Sequence, residues 1–89
     1  MAHKTYEELA EVLSLAQGQV EVGAKYQHYM SDEKFYTVMA VALQEETEAP
    51  CVVYQTSHSS GLIWVRNLDD WLSTVVKDGK SVPRFRRIE

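Results

Sequence analysis

The sequence predicts a mainly β protein: a small SH3-like bent sheet or partly open barrel of five or six strands, with an N-terminal helix and one short helical turn. Three observations carry this reading. Short β-type runs recur along the 89 residues with turn chemistry between them. The stretch CVVYQTSHSSGLIWVR, Cys51 to Arg66, sets two such runs, Cys51 to Gln55 and Leu62 to Val65, about a polar segment ending in Gly61, which is the pattern of an antiparallel hairpin. Strands this short leave unpaired edges, and bending or closure of the sheet removes most of them.

The length leaves room for one domain with one core. An apolar share of 45% with 25% charged residues is that of a globular chain. No apolar run approaches the roughly 18 residues that cross a bilayer. Met1 to Glu8 lacks a basic start followed by an apolar stretch, so a cytoplasmic protein without a membrane partner is expected.

In chain order, Thr5 and Glu8 fit a capping box. Tyr6, Leu9, Val12, Leu13 and Ala16 recur at helical steps, and Gln17 and Gly18 end the run. A helix of about 11 residues is marginal alone in water. Its stripe must therefore dock, either closing one end of the barrel or serving a partner. Lys25 to Tyr29 is the first strand, with Tyr26 and His28 on one face and Gln27 and Tyr29 on the other. A turn with Ser31 and Asp32 leads to Phe35–Leu43, whose alternating sets are Phe35, Thr37, Met39, Val41, Leu43 and Tyr36, Val38, Ala40, Ala42. Both sets are largely apolar. That places the strand centrally, covered by the core on one side and by the helix on the other.

Gln44 to Pro50, QEETEAP, reads as an acidic loop, with Pro50 at the boundary of the next strand. In NLDDWL, Asn67 or Asp69 could cap a helical turn that points Leu68, Trp71 and Leu72 inward. Ser73 to Val76 and Ser81 to Ile88 flank Asp78-Gly79, a type I′ hairpin signal, and Pro83 puts the last strand at an edge or a bulge.

The succession YQHY, FYTVMAVA, ETE, VVY, GLIWVR and DGKSVPRF resembles the DUF1653 family, short bacterial proteins of unassigned function. The resemblance runs from about Val22 to Ile88. Residues 1–21 then form a helical extension and residues 22–89 the DUF1653-like β domain of a single globular unit. Three positions depart from the pattern: Asn67 stands where proline commonly follows WVR, and Gln44 and Glu45 stand where a His-Ser pair commonly precedes ETE. The resemblance implies a compact β-rich domain and no particular reaction.

The lone Cys51 excludes an internal disulfide and any multi-cysteine metal site, and it reads as a small buried side chain in its strand. The three histidines, His3, His28 and His58, form no HxH or HxxxH pair, so neither a metal nor another cofactor is indicated. A net charge of −4 argues against nucleic acid, although residues 1–50 carry three Lys against nine acidic groups (−6) and residues 51–89 six basic against four acidic (+2). That polarity permits self-association. The basic RFRR run, Arg84 to Arg87, reads as a solvated or salt-bridged edge with Phe85 as its core anchor.

The candidate ligand site is the aromatic and cationic set Tyr26, His28, Tyr54, Trp64, Arg66 and Arg84, in which Trp64 and Arg66 share a strand face. Aromatic rings beside arginine suit a peptide, a small anion or a stacked base. The competing reading has Tyr26, Tyr54 and Trp64 filling the core while Arg66 and Arg84 pair with Glu46 or Glu48. Two functions follow. The first is a non-catalytic binding or adaptor module with a protein or small-molecule partner. The other is a small hydrolase or nucleotide-handling enzyme using His28 or Cys51, with no catalytic residues assigned.

Overall fold

Thr5 opens the first helix as its pattern requires. In a computed structural model of the chain, which describes residues 3–30, 34–57 and 61–89, helix α1 spans Tyr6–Gln17. The Thr5 hydroxyl accepts from the Glu8 N–H at 3.1 Å, and the Glu8 carboxylate accepts from the Thr5 N–H at 2.9 Å. That second bond holds the Glu8 carboxyl below its ordinary pKa. Ala16 is buried and Leu9, Val12 and Leu13 are half-buried, whereas Tyr6 in the first turn extends past the stripe into solvent.

Seven strands follow among the described residues: β1 Lys25–His28, β2 Phe35–Leu43, β3 Pro50–Thr56, β4 Ile63–Asn67, β5 Thr74–Lys77, β6 Lys80–Pro83 and β7 Phe85–Arg87, with a short helix α2, Leu68–Trp71, after β4. β4, β3, β2, β1 and β7 form one antiparallel sheet in that order, and β5 pairs with β6 in a separate hairpin. Neither sheet closes into a barrel. The run read as one strand from Ser81 to Ile88 is two, because Pro83 has no N–H to continue the ladder. Arg84 turns there, its N–H bonding the Ser73 carbonyl at 2.9 Å, and the chain passes from one sheet to the other. Asp78 and Gly79 have φ of 52° and 78° between the paired Lys77 and Lys80, as a type I′ turn demands. The turn read at Ser31 and Asp32 lies outside the described residues.

β2 does not alternate cleanly. Val38 pairs with Tyr54 and Ala40 with Val53, so Met39 is an extra, unpaired residue. The bulge exchanges the two faces partway along. Tyr36, Val38, Val41 and Leu43 share the face of Val52 and Tyr54, while Phe35, Thr37, Ala40 and Ala42 share that of Cys51 and Val53.

The core lies on the first of these faces. Ala16, Val20, Ala24, Tyr26, Val38, Val41, Val52, Tyr54, Leu68, Trp71 and Phe85 form one buried cluster, with Leu13 and Tyr36 packed against it. Each fully buried aliphatic or aromatic side chain contributes about 1.5–3 kcal/mol relative to exposure. Helix α1 therefore lies on the core side, and the expectation that it covers the opposite face of β2 is corrected. On that opposite face Ile63 and Val65 are exposed, whereas Cys51 is buried. Leu68 and Trp71 point inward as their pattern implies, but Leu72 is half-exposed. The Asn67 side chain makes no cap for α2, because its Oδ1 instead accepts from the Cys51 thiol, its cross-strand neighbour, at 3.4 Å. The acidic and basic halves interleave: β1 pairs with β7, and the ion pairs Lys25–Glu89 and Glu21–Arg87 join them.

Candidate functional site

Where β1, β3, β4, α2 and β7 meet, the buried aromatic core lies beneath a partly exposed rim of His28, Arg66 and Arg84. Phe85 stacks on Trp71 with ring centroids 3.8 Å apart and planes 6° from parallel, and Tyr54 meets both rings. Cross-strand pairing puts His28 opposite Phe85, with the rings edge to face at 4.9 Å. Tyr36 reaches Tyr54 and Phe85 in the same manner. The edge-to-face contacts have the geometry that rings prefer, whereas the Trp71–Phe85 pair is closer and more nearly face to face.

Two arginines sit over this cluster. The Arg66 guanidinium lies 5.2 Å from the Phe85 ring centre, and that of Arg84 lies 5.8 Å from Tyr29. Both turn toward Asp70: Arg66 Nη1 donates to Oδ2 at 2.5 Å, and Arg84 Nε lies 3.7 Å from Oδ1. Arg84 Nε also donates to Ser73 Oγ at 2.9 Å, and Arg66 Nε approaches the Tyr54 hydroxyl at 3.5 Å. The Arg66 side chain is 29% exposed and that of Arg84 25%. Partial burial works against the charge of Arg66, but Tyr54 and Asp70 outweigh it and raise its pKa.

Burial, followed by the charges of Arg66 and Arg84, pushes the His28 pKa down. Its Nδ1 accepts from the Met30 N–H at 3.2 Å, so the neutral ring carries its proton on Nε2 and offers a donor. The pKa shift has a stability consequence with a definite sign. Below about pH 6.5, the ordinary imidazole value, the unfolded chain binds a proton at His28 that the folded chain resists. The stability present above that pH is therefore lost as pH falls toward the folded-state pKa. Melting temperatures of the native protein and of His28→Asn, compared from pH 7 to pH 5, should converge as the native protein loses this contribution. A difference that stays constant with pH would show that His28 titrates alike in both states.

Of the six residues marked in the sequence, His28, Tyr54, Arg66 and Arg84 gather here. Tyr26 is core: its ring meets Trp71 edge-on at 5.3 Å, and its hydroxyl accepts from the Glu21 N–H at 3.3 Å. Trp64 pairs with Tyr54 across the ladder and shares the face of Arg66, yet it is 48% exposed, so the core tryptophan is Trp71 and not Trp64. The partner of both arginines is Asp70, where the structural reading named Glu46 or Glu48. Sequence reasoning took Asp70 only as part of a helical turn. The spacing of four from Arg66 was the available signal, but it spans a strand-to-helix junction, where helical neighbour rules do not apply.

Two cavities flank the cluster. One of about 300 Å³ is lined by Gln27, His28, Tyr29, Lys77, Val82, Pro83 and Arg86, and Lys77 Nζ donates to the Tyr29 carbonyl there at 2.9 Å. The other, of about 560 Å³, lies between the end of α1 and Leu72, Pro83 and Arg87, with Tyr26, Trp71 and Phe85 at its floor. Cys51 is buried on the opposite sheet face, beside Ala42, whereas His28 stands level with Lys34. The two are roughly 25 Å apart along β2. His58 lies outside the described residues. Among the described residues no group of three or more His, Cys, Asp or Glu side chains could hold a metal ion, and no helix is long and apolar enough to cross a membrane.

No curated protein matches the chain. A crystal structure of a DUF1653 protein from Bordetella bronchiseptica superposes with a TM-score of 0.67 and 29% identity, covering 79% of this chain and 90% of that one. The DUF1653 model, described as a protein of unknown function, matches residues 24–87, which include every strand and leave α1 outside. With its sheet, its aromatic cluster and both arginines inside that stretch, the chain belongs to the DUF1653 family.

Proposed function

We infer that the protein is a small, non-catalytic binding module of the cytoplasm that holds a carboxylate- or phosphate-bearing ligand, free or on a peptide, over the His28, Tyr54, Arg66 and Arg84 cluster. One observation carries this reading: two partly exposed guanidinium groups share a single carboxylate, Asp70, above a floor of aromatic rings. The local charge is positive in a chain that is acidic as a whole. Guanidinium groups match the geometry of carboxylate and phosphate oxygens, and the His28 Nε2–H adds a neutral donor.

The alternative, a hydrolase or nucleotide-handling enzyme using His28 or Cys51, has less support. Cys51 is 2% exposed and far from His28, and the His28 nitrogen that could act as a base already accepts a hydrogen bond. The test is a chemical-shift titration with inorganic phosphate and, separately, acetate. Saturable shifts are expected at the Arg66 and Arg84 Nε–H and at His28, with Arg66→Gln and Arg84→Gln each weakening phosphate by about tenfold. Shifts that are absent, or that persist unchanged in both variants, would remove the site.

A further inference from the structure

We propose that the outer edge of β4 is a self-association surface on which a second copy of this chain pairs antiparallel, joining two five-stranded sheets into one. β4 ends the sheet order, and the direction of its backbone groups follows from its register with β3. The Thr56 N–H bonds the Leu62 carbonyl at 2.9 Å, so Thr56/Leu62, Tyr54/Trp64 and Val52/Arg66 are the hydrogen-bonded pairs. Ile63 and Val65 occupy the alternate positions and turn their N–H and C=O groups away from β3. Among the described residues these groups make no other backbone hydrogen bond.

The side chains along this edge match that vacancy. Leu62, Ile63, Trp64 and Val65 are 53%, 56%, 48% and 64% exposed. The run holds no proline, lysine or acidic residue, the devices that usually keep edge strands apart. The opposite edge, β7, is only three residues long and carries exposed Arg86 and Arg87.

A second copy fits this edge in a register that brings no like charges together. A two-fold axis through Val65 sets Val65 against itself, Ile63 against Asn67 of the second copy, and Trp64 against Arg66 of the second copy. The two arginines are thereby kept apart and each is placed beside an indole. The four apolar side chains offer roughly 400 Å² per copy, or about 800 Å² in total, which is the range of a weak, reversible dimer.

Sedimentation velocity of the native chain from low micromolar to millimolar concentration should show the 10.2 kDa monomer shifting toward twice that mass. Val65→Lys opposes two like charges across the axis and should weaken dimerisation by at least about tenfold. Val76→Lys, at a 75% exposed position of β5, should leave it unchanged. Amide exchange at Ile63 and Val65 should slow as concentration rises. A chain that stays monomeric throughout, or a dimer indifferent to Val65→Lys, overturns the proposal, and a peptide found on this edge of a monomeric chain does so too. Because β4 pairing and phosphate binding are read separately, neither failure is mistaken for the other.

Discussion

Replacing Trp71 with alanine is expected to cost about 3–5 kcal/mol, the range for removing a large aromatic side chain from a core. The indole is 2% exposed, stacks on Phe85 and meets Tyr26 and Tyr54, so three strands lose their common contact at once. Stability of about 0.05–0.15 kcal/mol per residue leaves a chain of this length close to unfolding after such a loss. Urea denaturation followed by circular dichroism measures it. Trp64→Ala, at the half-exposed tryptophan, should change the midpoint far less. Equal losses in the two variants would show that the packing assigned to Trp71 is mistaken.

Asp70→Asn should act in opposite directions on binding and on folding. The substitution leaves the Arg66 and Arg84 cations facing a neutral amide, so phosphate should bind several-fold to about tenfold more tightly. Folding should weaken by about 1 kcal/mol, a modest figure because all three groups are partly solvated and screened. Isothermal titration with phosphate and thermal melting read the two effects on one sample. If Asp70 instead positions the arginines for the ligand, affinity falls in the variant, and the carboxylate is a support for the site and not a competitor within it.

The helix, the hairpins and the central strand were legible because each is set by local chemistry: the Thr5 and Glu8 cap, the Asp78-Gly79 turn, the apolar run of β2. The division of the last run into β6 and β7 was signalled by Pro83, but nothing local says that a chain will change sheets there. The candidate site was partly legible. Strand alternation alone put Trp64 and Arg66 on one face and His28 on that of Tyr26, whereas Tyr54 joins the first pair only through the register of β3 with β4. Which tryptophan is buried depends on α2 folding back across the sheet, a tertiary event without a sequence period. Asp70 arrives beside two arginines by that same fold-back.

The extra residue in β2 bears on how this strand should be compared with others. Met39 adds to the length of the strand without occupying a rung of the ladder. Ordinarily, losing one residue from the middle of a strand turns every later side chain over. Here it would not: with Met39 absent, Val38, Val41 and Leu43 fall into simple alternation and keep the face they already hold. A relative one residue shorter at this point would show a gap in the centre of its longest strand and still build the same interior. Such a gap marks where the sheet is kinked, and it is no sign that the strand has ended.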